Sequence, residues 1–203
     1  MAGWSQHKGL GVALSREGID TDQLIPARFM SAPRSEGYGR FLLHDLRRTG
    51  ETPDPEFPLN RPAAEGASVL VAARNFGGGS SREAAVYALV DAGFRVVIAP
   101  SFGDIFAGNA VNNGLLPALV SEADGARLLA ALAEPTEVSV DLESCRIQVR
   151  DIEARFEIEP VRRTKLIKGW DDIDLTQAHA DQIAAFRAKL AETRPWVFPD
   201  AEA

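Results

Sequence analysis

Residues 75 to 83 read Asn75-Phe76-Gly77-Gly78-Gly79-Ser80-Ser81-Arg82-Glu83, between the apolar run Ala67 to Ala73 and a helix-like stretch from Ala84 to Ala92. A short apolar run rich in valine reads as a buried strand, so the three glycines mark a strand-to-helix turn. Glycine lets the backbone take positive φ and come close to a ligand, and the unpaired first N–H groups of a helix favour an anion. The guest that such a turn selects is a small carboxylate or phosphate. Arg82 offers a two-point fork to a planar carboxylate. Ser80 or Ser81 donates hydrogen bonds or, as an alkoxide, takes a proton.

A plainer reading competes with this one. Ser80 followed three residues later by Glu83 is also the pattern of a capping box. Nucleotide binding is disfavoured on spacing, because the Gly-Lys-[Ser/Thr] ending of a P-loop and the G-x-G-x-x-G of a dinucleotide fold are both absent.

At 203 residues, 45% of them hydrophobic and 25% charged, the chain is expected to be a single domain with a sizeable core. A loop near 31–62 and a C-terminal helical extension over 177–203 complete it. No run of about 18 apolar residues occurs, and Met1 to Gly11 lacks an apolar signal core, so no membrane span is expected and the cytoplasm is the default compartment. A net charge of −7 and a pI near 5.0 speak against nucleic acid as a partner. Cys145 is the only cysteine, which leaves no internal disulfide and no iron–sulfur cluster or structural zinc held by this chain alone. It lies in the alternating stretch Val138 to Val149, where a packed or edge-strand thiol is expected. His7, His44 and His179 are too widely spaced for a ligand set.

Along the chain, a strand is expected at 8–14, then a turn at Asp20-Thr21-Asp22 that opens a short helical element ending near Pro26. The stretch from Ser31 to Pro62 is rich in proline and glycine, with a helical segment around Phe41 to Arg48, and a loop of this length is expected to be mobile or functional. Strand 67–73, helix 82–92 and strand 94–99 form a βαβ unit and hence a parallel pair. A second strand-to-helix turn at 100–104 and a third strand at 115–120 follow. Both turns fall at strand carboxyl ends, where ligands of such sheets bind. A helix at 122–133, a hairpin at 138–158 and a final amphipathic helix from about Gln177 to Thr193 close the chain.

Five ordered blocks together carry a resemblance. They are Ile19-Asp20-Thr21-Asp22-Gln23-Leu24-Ile25-Pro26; Asn75-Phe76-Gly77 with Gly79-Ser80-Ser81-Arg82-Glu83; Val97-Ile98-Ala99-Pro100-Ser101-Phe102 with Asp104-Ile105-Phe106; Asn113-Gly114-Leu115-Leu116-Pro117; and Arg162-Arg163 with Gly169, Ile173 and Leu175-Thr176. In this order, over nearly the whole chain, they resemble the small subunit of 3-isopropylmalate dehydratase, a relative of the carboxy-terminal swivelling domain of aconitase.

The resemblance implies an α/β fold, a three-layer β/β/α swivelling domain with a mostly parallel central sheet. It implies a partner, a large subunit in a heterodimer or heterotetramer, whose cysteines hold a 4Fe–4S cluster, while this chain binds no cofactor. The implied reaction is hydro-lyase chemistry in leucine biosynthesis. It isomerises 2-isopropylmalate and 3-isopropylmalate, small dicarboxylate substrates, by dehydration and rehydration. Ser80 corresponds to the base, and Ser81 and Arg82, with Gly79 in the same motif, to substrate-binding positions. Asp22 matches the aspartate of the family's Thr-Asp turn, and Arg28 or Arg34 is a further carboxylate contact. Part of 31–40 should meet the substrate side chain.

The chain departs from the family pattern at Gly78 (usually cysteine), Ala84 (usually histidine), Val86-Tyr87 (usually Pro-Trp) and Thr164-Lys165 (usually His-Cys). Those departures leave two alternatives open: a related dehydratase acting on 2-methylmalate or a dimethylmalate, and a non-catalytic anion-binding or interaction subunit.

Overall fold

A computed structural model describes residues 2–198. The strands in chain order are β1 (Gln6–Leu14), β2 (Arg48–Thr49), β3 (Thr52–Pro53), β4 (Val69–Ala72), β5 (Val96–Ala99), β6 (Leu116–Leu119), β7 (Thr136–Asp141), β8 (Arg146–Val149) and β9 (Ile152–Arg155). The helices are α1 (Thr21–Leu24), α2 (Glu83–Asp91), α3 (Asp104–Asn112), α4 (Glu122–Ala131), α5 (Pro160–Lys168), α6 (Asp172–Gln177) and α7 (Ala180–Thr193).

Seven strands form one sheet in the order β6-β5-β4-β1-β7-β8-β9. β6, β5, β4 and β1 run parallel, and β7, β8 and β9 extend the sheet from β1 as an antiparallel meander. Past β9 the sheet turns back on itself: Leu119, the last residue of β6, exchanges backbone hydrogen bonds with Glu157 in both directions.

That curl makes the layers. Side chains alternate across a strand with period two. Val69, Val71, Val96 and Ile98 therefore point to one core, shared with Val138, Val140, Ile147 and Val149 of the meander. Leu70, Ala72, Val97 and Ala99 point to the other face, where Ala85, Val86, Ala88 and Leu89 of α2 cover them. The inner core lies between two β layers and the outer core between sheet and helices, a β/β/α arrangement. Strands with both faces covered are apolar throughout, and every residue of β4 and β5 is buried.

The chain divides after Gly169 into two compact units. In the second, Asp171 caps α6 in a capping box with Asp174. The helix expected from about Gln177 begins at Ala180, and residues 172–177 form a helix of their own.

The 31–62 segment is built of short 3-10 turns and the β2–β3 hairpin. Asn60 pins it, its amide donating to the carbonyls of Arg47 and Asp54, both at 2.7 Å, while Arg47 Nε donates to Asn60 Oδ1 at 2.8 Å. The helical segment expected around Phe41 to Arg48 does not form. Leu43 takes a φ of 53°, outside the right-handed helical region, and its N–H donates instead to the Leu24 carbonyl at 2.9 Å. Cys145 lies in the turn between β7 and β8 rather than within a strand, with a φ of 54°.

Candidate active site

Two strand-to-helix turns meet at the carboxyl ends of β4 and β5. Phe76 and Phe102 form a parallel bridge: the Phe76 N–H donates to the Ser101 carbonyl at 3.1 Å, and the Gly103 N–H to the Phe76 carbonyl at 2.9 Å. The Asn75 N–H adds a bond to Ser101 Oγ at 2.7 Å. The two helix starts, α2 after the first turn and α3 after the second, are thereby held side by side. Phe76, Phe102 and Phe106 pack together beneath them.

Glycine is required here for two reasons. Gly77 has a φ of 72°, and a Cβ on it would lie 2.3 Å from the Phe106 ring. Gly79 has a φ of 90° and faces Asp20 and Thr21. Gly78 is different, since its φ is not positive and a Cβ would meet Asn75 Oδ1 at 3.1 Å.

The plain capping-box reading fails on geometry. α2 begins at Glu83 and its N-cap is Arg82 in an extended conformation, with no side chain bonding the first turn. The Glu83 carboxylate accepts from Asn113 Nδ2 at 2.9 Å instead. The N-cap of α3, Gly103, also offers no side-chain cap. Two adjacent helix starts thus present N–H groups uncovered by side chains, the electrostatic setting for an anion. Ser80 and Ser81 stand exposed at the edge of this setting.

The Asp20-Thr21-Asp22 turn comes to the same place from about 60 residues away in the chain. Asp20 caps α1 in a box with Gln23, and α1 stops at Ile25, before Pro26. The turn lies along the glycine hinge as a parallel bridge between Asp20 and Gly78. The Gly77 N–H donates to the Ile19 carbonyl at 2.7 Å and the Thr21 N–H to the Gly78 carbonyl at 2.9 Å. Thr21 Oγ1 donates to the Ser80 carbonyl at 2.8 Å, and Arg82 forms an ion pair with Asp22.

Asp22, Gly79, Ser80, Ser81 and Arg82 are therefore gathered at one spot. Arg28 and Arg34 are engaged elsewhere. Arg28 makes a two-point pair with Asp45 and lies over the Phe29 ring. Arg34 makes a two-point pair with Asp91, at the far end of α2, and lies 4.3 Å from the Tyr87 ring centroid. Burial, and then the Glu83 charge, raise the Tyr87 phenol, which stays neutral at physiological pH. The sequence pattern pointed to Thr21 only as the start of a turn and did not single out Ser101; both prove to hold the site's backbone through their hydroxyls.

A neighbouring cavity of about 620 Å³ opens beside the gathered residues, lined by Ser101, Phe102, Asp104, Leu119, Glu157 and Arg162 among others, without Ser80. Among the described residues no group of three or more His, Cys, Asp or Glu side chains is placed to hold a metal ion. A single cysteine does not fit an iron–sulfur cluster.

The sequence matches the aconitase C-terminal domain over residues 1–123 and, over residues 172–200, the C-terminal domain of the 3-isopropylmalate dehydratase small subunit. It is 44% identical over 196 residues to the 3-isopropylmalate dehydratase small subunit of Shewanella sp. (strain W3-18-1), covering 94% of this chain and 98% of that one. It is 45% identical over 192 residues to the protein of the same name from Geobacillus sp. (strain WCH70), covering 93% and 98%. Among solved structures it is similar to a crystal structure of 3-isopropylmalate dehydratase from Methanocaldococcus jannaschii, with 26% identity, a TM-score of 0.66 and coverage of 89% of this chain and 99% of that one. With the curled sheet, the two uncapped helix starts and the Thr-Asp turn in place, the chain belongs to the 3-isopropylmalate dehydratase small-subunit family, on the aconitase C-terminal domain fold.

Proposed function

We propose that the chain is the small subunit of a cytoplasmic, heteromeric hydro-lyase that isomerises 2-isopropylmalate and 3-isopropylmalate by dehydration and rehydration. The observation that carries this reading is the gathering of Gly79-Ser80-Ser81-Arg82 and Asp22 at the uncapped start of α2. Relatives at 44–45% identity bear the 3-isopropylmalate dehydratase name, so 2-methylmalate or a dimethylmalate as substrate, or a role without catalysis, is not favoured.

Dehydration takes a proton from a carbon next to a carboxylate and expels a hydroxyl. Ser80, exposed at the rim, takes the proton. Ser81 and Arg82, with the N–H groups around Gly79, hold a carboxylate as charge develops on it. Arg82 exchanges Asp22 for substrate, and the Asp22 carboxylate keeps the guanidinium at the site in the meantime. Arg28 or Arg34 is the further carboxylate contact of this reading, exchanging its own aspartate partner. Departure of the hydroxyl calls for a Lewis acid, and the 4Fe–4S cluster of a large subunit is assigned that part, since this chain lacks the cysteines. In this reading residues 1–203 work as one swivelling domain, in which the 31–62 loop moves and 177–203 is a helical extension, with residue 1 and residues 199–203 lying outside the described residues.

The test is anaerobic reconstitution with a cluster-loaded large subunit, following alkene absorbance with 3-isopropylmalate, 2-methylmalate and 2,3-dimethylmalate. Selective turnover of 3-isopropylmalate is expected. Ser80→Ala is expected to lower turnover by about 10³-fold while the complex still assembles. Retained turnover would remove Ser80 as the base.

A further inference from the structure

We propose that Thr21 is the positioning residue that sets the orientation of Ser80 and of the Ser81 N–H. The inference rests on Ser80 being the base.

Thr21 is 2% exposed and is one of two buried polar side chains among the described residues. A buried hydroxyl has no water to turn to, so its partner is fixed by geometry. That partner is the Ser80 carbonyl, at 2.8 Å from Oγ1. The Thr21 main chain holds the same loop a second time, its N–H donating to the Gly78 carbonyl at 2.9 Å. One residue therefore grips the peptide units on both sides of Gly79 and Ser80.

The consequence follows from peptide planarity. In a trans peptide the C=O and N–H point in opposite directions, and no cis peptide occurs among the described residues. Turning the Gly78 and Ser80 carbonyls toward Thr21 turns the N–H groups of Gly79 and Ser81 away from it. Between the two anchors Gly79 sits at a φ of 90°, a conformation whose wide freedom in glycine leaves the flanking dihedrals unspecified without such a grip. With both ends held, the Cα–Cβ bond of Ser80 has a set direction. Without the Thr21 hydroxyl, Gly79 retains its freedom and Ser80 samples orientations off the substrate carbon, where small displacements cost rate steeply.

Thr21 touches no substrate in this account and acts through Ser80, so the test needs a measurement that structural loss alone would not move. Thr21→Val keeps the shape and removes the donor, and Thr21→Ser keeps the donor. In the reconstituted complex, Thr21→Val is expected to lower kcat about tenfold or more with KM within about threefold, while Thr21→Ser restores kcat to within about threefold of the parent. If Thr21→Val does not assemble, Thr21→Cys, whose thiol is a weaker donor of similar size, replaces it with the same threshold. A folded, assembled donor-deficient variant with kcat within about twofold of the parent would overturn the proposal, as would a Thr21→Ser variant no better than Thr21→Val. Ser80→Ala assayed alongside separates the two ideas: if it retains turnover, the base assignment fails whatever Thr21 does.

Discussion

Arg34 and Asp91 face each other in a two-point ion pair, Nη1 to Oδ2 at 2.7 Å and Nη2 to Oδ1 at 3.0 Å. Asp91 is the last residue of α2, and the first turn of α2 follows Ser80-Ser81-Arg82 directly. Nine residues at about 1.5 Å each make α2 about 13 Å long. One rigid helix therefore has the proposed substrate motif at one end and the fastening of the 31–40 loop at the other. Asp91 also accepts from the Tyr38 N–H at 2.6 Å, so it holds the loop through side chain and main chain together.

Removing that carboxylate should free the loop. Asp91→Ala is expected to cost on the order of 1–2 kcal/mol of local stability, from the loss of charge-assisted hydrogen bonds. Limited proteolysis should then show faster cutting within 31–40 with the rest of the chain intact. A cutting rate equal to the parent's would show that the pair does not hold the loop.

The glycines of the hinge should respond unequally. Gly77→Ala combines a positive φ with a clash against the Phe106 ring and is expected to destabilise by about 2–4 kcal/mol. Gly78→Cys has neither obstacle, since the exposed Asn75 side chain can yield a few tenths of an ångström. It is expected to change stability by less than about 1 kcal/mol. Thermal unfolding of the two variants checks the ranking, and equal losses would contradict it.

Asp45 should mark an acid transition in the loop. The Arg28 hydrogen bonds, and then the His44 ring, hold its carboxyl down at about 2, against 3.8 in an unconstrained chain. A depressed carboxyl contributes stability that is in place above pH 3.8 and is lost as the pH falls through about 2. Side-chain NMR titration should place the Asp45 midpoint near the lower value. In Arg28→Ala the midpoint should rise toward the ordinary carboxylate range, and an unmoved midpoint would mean that the pair does not form in solution.

Arg82 tests the fork. Its guanidinium meets a carboxylate in the structure, that of Asp22, and the proposed substrate offers another. Arg82→Lys keeps the charge and loses the planar two-point geometry, so KM for the dicarboxylate is expected to rise on the order of tenfold in the reconstituted enzyme. A KM within about twofold of the parent would show that charge alone suffices.

Much of the parallel half was legible in the sequence. The apolar runs at 67–73, 94–99 and 115–120, the first two ending in a glycine- or proline-marked turn and the third at the helix cap Ser121, give β4, β5 and β6 with their helices because local pattern and tertiary role agree there. α5 was not legible. Pro160-Val161-Arg162-Arg163-Thr164-Lys165 carries little apolar periodicity, and its stability depends on burying Leu166 and on Lys165 bonding Asn112 at 2.5 Å, 53 residues away. The curl that brings Glu157 to Leu119 is likewise a long-range pairing that no local pattern encodes. At the site, residue chemistry pointed to Ser80, Ser81 and Arg82, and the family resemblance added Asp22. That Arg28 and Arg34 would be taken up by Asp45 and Asp91, 17 and 57 residues along the chain, depends on folding and could not be read from spacing.

The return of the sheet onto itself also bears on how the protein survives before it meets a partner. A sheet's outermost strand offers unpaired amides and carbonyls, a template on which other chains aggregate. Here β6 is only four residues long, Pro117 within it has no N–H to offer, and Leu119 spends its donor and acceptor on Glu157 of the same chain. The β6 edge is thereby blunted against the addition of a strand from another chain.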